Sequence, residues 1–290
     1  MKIDKLKELD EAFSRIEQHN ITIPSFRDKN GDLYIGISGA VDIQELKNFS
    51  DKKMKIEIML HCHNYQHRLC WMLSSILQQT GDIPEIVTAI SYLPSHGNPT
   101  TENVIKFFRE QGLKIIDVPI NKGEEGNRAI ARNLRAKNSK ADWLLFADAD
   151  MVYSTNFFEE LKKNLEKDEW KNEKKCIGAD RHSLEIEYCK DFFYNDTTEY
   201  PCIVTNVADI VSKWPLWYIR GKRIAPGYFQ LASLEAIKEK GGIYSNINID
   251  KWRLCKTDRV FRRHMGGKVG MDLPPMYHLN HDRLGPEIQR

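Results

Sequence analysis

The sequence predicts an α/β fold in which a mainly parallel sheet is covered by helices on both faces. From residue 54 to residue 148, apolar runs of strand length alternate with amphipathic stretches in the order β-α-β-α-β-α-β, as in strands joined by helical crossovers. The last run ends in Asp148 and Asp150, at the edge where ligands of such sheets bind. Two acids here favour a divalent cation that holds phosphate oxygens, with a solvated acidic turn as the alternative.

The composition is that of an ordinary globular protein. The chain has 290 residues, of which 41% are hydrophobic and 29% charged, and its net charge is +2. No basic excess indicates a nucleic-acid partner, and the six scattered cysteines do not resemble a disulfide framework. Because neither a secretory leader nor a run of about 18 apolar residues is present, we predict a cytoplasmic protein without a transmembrane segment. The oligomeric state stays open.

Residues 1–53 are predicted to form an extension that packs on the main domain, residues 54–290. A helix is expected within residues 4–18, where apolar residues recur at helical spacing. Residues 28–31, with the sequence Asp-Lys-Asn-Gly, are typical of a hairpin turn.

The elements of the next hundred residues follow from their apolar patterns. Strands are predicted where apolar residues alternate or run together, and helices where they recur three or four residues apart. The predicted order is strand 54–61, a helix carrying Leu69, Met72, Leu73, Ile76 and Leu77, strand 86–92, a helix carrying Val104, Ile105 and Phe108 and ended by Gly112, strand 113–118, helix 125–138 and strand 143–148.

The second half of the main domain is less regular. Asn156 is a predicted helix N-cap, with Glu159 three residues later. Three further segments follow: a charged loop at 168–175, an aromatic and basic segment at 212–231, and a short helix at 233–240 ended by Gly241 and Gly242.

Three motifs in order resemble the family 2 glycosyltransferases. They are an Asn-x-Gly loop at Asn121, an Ala-Arg-Asn helix at 131–133, and a strand followed by Asp148 and Asp150. The resemblance covers residues 54–155 well and residues 225–283 more loosely. It implies a GT-A-type, Rossmann-like fold and a nucleotide-sugar donor, with a nucleotide-binding half (54–155) and an acceptor-binding half (156–290).

The resemblance also implies roles at the donor. The diphosphate is expected over Asp148 and Asp150 through Mn²⁺ or Mg²⁺. The residues expected to bind the rest of the nucleotide sugar are His63, Asn64, Ser91, Tyr92, Asn121, Arg128 and Arg132. For the two arginines, a solvated helix face is the alternative. Relatives often carry an acid after the second strand, where this chain has Ser91 and Tyr92, so the base stays open, with UDP favoured over GDP.

By the same resemblance, Asp258 is the expected general base of an inverting transfer, because the base must reach the acceptor hydroxyl. The alternative is a surface acid paired with Arg262. His278 is the expected third metal ligand, with His281 as its alternative, and imidazole suits Mn²⁺. Both could instead lie in a polar loop.

The resemblance places an acceptor and donor-sugar pocket at Gly227, Tyr228 and Phe229. Trp217 is expected at its lip. The lip is expected to include further aromatic and basic residues, namely Trp214, Tyr218, Arg220, Lys222 and Arg223. The acceptor can be a glycan, a lipid-linked sugar, a small metabolite or, less favoured, a modified DNA base.

Other interpretations compete with this one. A nucleotidyltransferase would need a glycine-rich loop after the first strand, which is absent, and a non-catalytic binding domain would not need Asp258. A zinc site is a further rival. Alternation along the strand points Cys62 away from His61 and His63, and Cys70 falls inside an amphipathic helix. The candidate zinc ligands are His61, Cys62, His63, His67 and Cys70.

Overall fold

The structure is a computed structural model, and it describes most of the chain after residue 52. The described residues are 53–97, 99–124, 128–219, 225–243 and 257–280, together with two short strands at 25–27 and 33–35. The chain divides into two compact units, residues 1–53 and 54–290.

In the first unit, strand β1 (Ser25–Arg27) pairs antiparallel with β2 (Leu33–Ile35), and Phe26 lies opposite Tyr34. The two strands flank the predicted hairpin turn at 28–31. The turn itself and the helix predicted within 4–18 lie outside the described residues.

The second unit contains alternating strands and helices. Its strands are β3 (Lys55–Cys62), β4 (Glu85–Tyr92), β5 (Ile115–Pro119), β6 (Trp143–Phe146), β7 (Met151–Tyr153), β8 (Cys176–Gly178), β9 (Arg181–Leu184), β10 (Leu216–Ile219), β11 (Gln230–Ser233), β12 (Lys268–Gly270) and β13 (Met276–His278). Its described helices are α1 (Gln66–Leu77), α2 (Thr101–Glu110), α3 (Arg128–Asn138), α4 (Phe157–Leu165), α5 (Asp168–Lys171), α6 (Ile186–Asn195), α7 (Val207–Ser212), α8 (Leu234–Glu239) and α9 (Thr257–His264).

These strands form two sheets. The larger one has seven strands in the order β12-β8-β11-β6-β3-β4-β5, and only β11 runs antiparallel to its neighbours. The smaller one has four strands in the order β10-β9-β13-β7. The predicted α/β class with a mainly parallel sheet is therefore confirmed.

Strand β3 shows why helices cover both faces of the larger sheet. Its side chains alternate between the faces. Ile56 and Ile58 lie in an apolar cluster with residues of α1, α2 and α4, whereas Met59 lies in a second cluster with residues of α3, α8 and α9. A strand that is apolar on both sides is buried only if helices pack on both.

A charged residue on β3 is nonetheless buried. Glu57 is 1% exposed. Its two carboxylate oxygens accept hydrogen bonds from Nε and Nη2 of Arg135, at 2.7 and 2.9 Å, and from Oγ of Ser139 at 2.8 Å. These bonds compensate the loss of hydration and fix α3 against the sheet.

The predicted strand at 143–148 is shorter in the structure. It ends at Phe146, so Asp148 and Asp150 lie in a connection that ends in a turn before β7. Strand alternation therefore does not set the directions of the two acidic side chains. The segment that carries the two acids connects the larger sheet to the smaller one and does not extend β6.

One smaller prediction differs from the structure, and another is confirmed in position only. Residues 168–175 contain a short helix, α5, whose first turn carries Asp168 and Glu169, as the helix dipole favours. Asn156 occupies the N-cap position of α4, but its side chain makes no capping hydrogen bond. Among the described residues, no helix is long and apolar enough to cross a membrane.

Candidate active site

Asp148 and Asp150 lie where the two sheets meet. Strand β13 pairs antiparallel with β7, which sets His278 opposite Met151. The backbone N–H of Leu279 donates to the carbonyl of Asp150 at 2.8 Å. The pairing of β13 with β7 therefore places the imidazole of His278 next to Asp150.

Asp150 and His278 form a buried contact. Oδ2 of Asp150 lies 3.2 Å from Nε2 of His278, and the two side chains are 5% and 10% exposed. Nδ1 of His278 is hydrogen-bonded to Oγ of Ser183 at 3.3 Å, which fixes the ring orientation. A carboxylate and an imidazole side by side are a donor set that suits Mn²⁺.

Asp148 has a different partner. Nη1 of Arg128, at the start of α3, donates to Oδ1 of Asp148 at 2.6 Å. The nearby carboxylate raises the pKa of Arg128. Nε of Arg128 is buried and has no hydrogen-bond partner in the described part of the chain, so the guanidinium retains a donor for a further acceptor.

One helical turn later, Arg132 holds Asp258. Its Nη1 donates to Oδ1 of Asp258 at 2.7 Å, and its own side chain is 3% exposed. Burial raises the pKa of Asp258, but the charges of Arg132 and Arg128 and the Arg132 hydrogen bond outweigh it, so the pKa lies below its usual range. Asp258 is therefore ionised at neutral pH, as the proton-accepting role expected of it requires.

The segment before β11 lies against Asp258. Because Gln230 is paired with Phe146 in antiparallel register, the residues that precede it lie beside the connection that carries the acids. A Cβ atom on Gly227 would overlap the Asp258 carboxylate at Oδ2. Nε2 of Gln230 also donates to the carbonyl of Asp258 at 3.0 Å. Glycine at 227 is required by this close approach.

The other residues of the predicted pocket differ in exposure. Phe229 is fully buried in the core, so its side chain supports the segment from inside and lines no surface. Tyr228 is also buried; its OH donates to the carbonyl of Ala179 at 3.3 Å, and the guanidinium of Arg181 lies 4.0 Å from its ring centroid.

Trp217 is the exposed aromatic residue of the small sheet on the site's side. It is 66% exposed. Its register partner is Ser183, which is in turn the register partner of His278, and paired residues project from the same face of a sheet. Trp214 instead packs against Trp71 at 5.5 Å between ring centroids, and the basic residues predicted for the lip lie outside the described residues.

The residues predicted near the nucleoside lie at the ends of β3 and β4. The rings of His63 and His96 stack at 5.0 Å between centroids, and Nε2 of His96 is hydrogen-bonded to Oδ1 of Asn64. Asn64 has a φ of 62°, in the left-handed region. This arrangement fixes a flat pair of rings at the carboxyl edge of the sheet.

Ser91 and Tyr92 were expected to bind the nucleotide sugar, and both side chains are buried. Ser91 is fully buried, and its Oγ donates to the carbonyl of Leu60 at 3.1 Å and is hydrogen-bonded to Nδ1 of His61. Tyr92 is 6% exposed within the core. Asn121 is on the surface, where its Nδ2 donates to Glu124 at 3.1 Å. In this structure, only Asn121 of the three is accessible.

The three residues predicted to bind the metal ion, Asp148, Asp150 and His278, do not converge on one point. Within the described ranges, no group of three or more His, Cys, Asp or Glu side chains is placed to hold a metal ion. Asp150 and His278 converge, whereas Asp148 is held by Arg128, and His281 lies outside the described residues. The rival zinc cluster is not assembled either, and burial raises the pKa of the Cys62 thiol to about 11.

Some residues of the site were not predicted from the sequence. His96 and Ser183 each contact a predicted site residue, and Gln230 fixes the backbone of Asp258. Gln230 follows the predicted pocket directly, which is a signal that could have found it. His96 and Ser183 come from loops and strands far away in sequence, and nothing near them marks their role.

Comparison with known proteins finds a family match within the chain. Residues 57–171 match the model of the family described as glycosyl transferase family 2. This segment is a family 2 glycosyltransferase domain. It runs from β3 to α5 and includes Asp148, Asp150 and both arginines of α3. No curated protein sequence matches the chain.

Solved structures show the fold. S. aureus TarS 1–349 in complex with UDP matches with a TM-score of 0.52 and 11% identity, over 79% of this chain and 61% of that one. A longer S. aureus TarS structure gives 0.50 and 13%, over 78% and 36%. The mannosyltransferase PcManGT from Pyrobaculum calidifontis, in complex with GDP-Man and Mn²⁺, gives 0.48 and 12%, over 95% and 65%.

The likeness to TarS shows that this glycosyltransferase domain has the GT-A fold. The chain spans 36% to 65% of the length of these structures. The family match also favours sugar transfer over nucleotidyl transfer, the rival reaction with a similar sheet.

Proposed function

We propose that the chain transfers a sugar from a nucleoside-diphosphate sugar to an acceptor hydroxyl, with inversion at the anomeric carbon. The observation that carries the proposal is that successive turns of α3 hold two acids of different roles. Arg128 holds Asp148 on the donor side, and Arg132 holds Asp258 on the acceptor side. One helix therefore sets the distance between the diphosphate site and the base.

On the donor side, Asp150 and His278 would hold Mn²⁺ or Mg²⁺. When bound, the cation neutralises negative charge on the diphosphate leaving group. Asp148 joins it only by giving up its ion pair with Arg128. Arg128 then has donors for the diphosphate, including Nε, which has no other partner in the described residues.

On the acceptor side, Asp258 accepts the proton of the attacking hydroxyl. Its carboxylate lies beside Gly227, whose missing side chain leaves that oxygen room. Trp217 presents an exposed indole face on the same side of the small sheet as His278. Aromatic faces of this kind stack on sugar rings, so a glycan or lipid-linked sugar is the favoured acceptor.

The stacked rings of His63 and His96, with Asn64 beside them, would take the nucleoside. TarS, which has the same fold, is known in complex with UDP, and this makes UDP-sugars the first donors to test. The cytoplasm is the proposed compartment, because the described cysteines are free thiols.

A nucleotide-sugar panel tests the proposal. Thermal unfolding is followed with UDP- and GDP-sugars, each with Mn²⁺ and each with EDTA. At a ligand concentration of about 100 times Kd, binding stabilises the folded chain by about 2.7 kcal/mol. We expect such stabilisation by one sugar nucleotide only when the cation is present.

The control for this panel is Asp150→Asn, which removes a proposed ligand. It should lose the metal-dependent part of the shift, with unfolding otherwise like wild type. If no nucleotide shifts the wild-type transition in either buffer, the non-catalytic interpretation replaces this one.

A further inference from the structure

We infer that Arg132 is a positioning residue that aims the proposed base: it holds Asp258 by Oδ1 and leaves Oδ2 to the acceptor. This role rests on the proposed function of Asp258. It differs from the role predicted from sequence, in which Arg132 belonged with Arg128 at the nucleotide sugar.

Arg132 is held too firmly to serve as a mobile diphosphate ligand. Its side chain is 3% exposed, and its guanidinium carbon lies 4.7 Å from the centroid of the Phe146 ring. The Phe146 ring also packs edge-on against Phe261, at 4.9 Å between centroids. Phe261 belongs to α9, the helix that carries Asp258. One ring therefore sets the positions of the arginine and of the acid's helix together.

The other side of Asp258 is fixed as well. Nε2 of Gln230 bridges the carbonyls of Ala225 and Asp258, at 2.7 and 3.0 Å. Gly227 lies so close to the carboxylate that a Cβ atom there would overlap Oδ2. With Oδ1 bound by Arg132, the acid has one direction in which to present its second oxygen, and a quarter of its side chain, 25%, remains exposed.

Charged and titratable groups face Asp258 from three elements. Arg128 and Arg132 belong to α3, Arg262 to the same helix as the acid, and the Cys176 thiol to β8. Burial alone raises the pKa of Asp258, and the arginines bring it below its usual range. Removal of Arg132 therefore raises the pKa of Asp258. The reaction rate, which rises as the base loses its proton, then rises at a higher pH.

The experiment follows Asp258 by ¹³C NMR of a protein labelled in aspartate carboxyl carbons, with Asp258→Asn to assign its resonance. We expect Arg132→Gln to raise the midpoint of the titration by about 1 unit or more, and Arg132→Lys to keep most of the wild-type value. Arg135→Lys is the matched control, since Arg135 lies on the same helix but pairs with Glu57. It should leave the midpoint unchanged.

Gly227→Ala tests the orientation of the Asp258 carboxylate without changing a charge. Its Cβ displaces the carboxylate, so we expect kcat to fall at least tenfold with the donor KM unchanged. An Arg132→Gln midpoint equal to wild type, or a Gly227→Ala enzyme at full kcat, overturns the inference. The titration needs no turnover, so its result stands even if the panel shows that the chain transfers no sugar.

Discussion

Substitution of Asp258 by Asn removes the proposed base while keeping its shape. The amide oxygen can still accept from Nη1 of Arg132, now 2.7 Å from Oδ1, so the side chain stays in place. What is lost is the capacity to take a proton from the acceptor. A general base contributes about 10²–10⁴-fold to the rate, which is about 3–5 kcal/mol of transition-state stabilisation.

The same change also removes a charge next to a buried guanidinium. Breaking a fully buried ion pair costs about 3–5 kcal/mol of stability. The cost here is lower, because 25% of the Asp258 side chain is exposed to water. The variant should therefore remain folded at assay temperature, and its kinetic defect can be measured.

The assay is release of nucleoside diphosphate at saturating donor and acceptor, with donor affinity from calorimetry. We expect kcat to fall by about 10²–10⁴-fold with the donor Kd within about twofold of wild type. Asp209→Asn, an acid-to-amide change in an exposed pair with Lys213, is the control and should be silent. An Asp258→Asn enzyme with wild-type kcat would remove Asp258 from the reaction.

Three further predictions concern the donor side, the acceptor side and the core. His278→Gln should weaken Mn²⁺ binding by at least about tenfold and Mg²⁺ binding less, because imidazole suits transition metals; equal losses for both ions in calorimetry would contradict the ligand assignment. Trp217→Ala should raise the acceptor KM while changing stability by less than about 0.5 kcal/mol, since the side chain is 66% exposed, and Trp217→Phe should restore most of the affinity; an unchanged KM would remove the stacking role. Glu57→Gln should lower the urea unfolding free energy, because Arg135 loses its charge partner; the loss should be below the about 3–5 kcal/mol of a fully buried pair, since the Arg135 side chain is 13% exposed. A loss below about 1 kcal/mol would show that this pair is not stabilising.

The strands and helices up to Asp148 were largely predictable because each has a clear apolar period. The observed bounds of β3, β4 and β5 lie within two residues of the predicted ones. The end of β6 was missed because Ala147 and Ala149 are small, buried residues that continue the apolar pattern past the last paired residue.

The pairings within the site could not be predicted, since they join residues far apart in the chain. Arg132 and Asp258 are separated by 126 positions, and no local pattern indicates such a contact. The spacing of Arg128 and Arg132 correctly placed them one turn apart on a helix. It could not show that each meets a different acid, because this depends on where α9 packs.

Burial was the other missing information. Ser91 and Phe229 were assigned to binding roles by their place near motifs, yet both are fully buried. A single sequence shows that a residue is close to a strand end, but not how far into the sheet its side chain points. Trp217 is 66% exposed whereas Trp214, three residues away, is partly buried against an apolar cluster, and the sequence could not tell the two apart.

The most direct test of the central claim is anomalous scattering from a crystal soaked with Mn²⁺ and UDP. We expect one manganese peak beside Asp150 and His278, on the diphosphate, with Arg128 turned from Asp148 toward the phosphate oxygens. A crystal in which UDP is bound but manganese lies elsewhere, with the Arg128–Asp148 ion pair intact, would contradict the account.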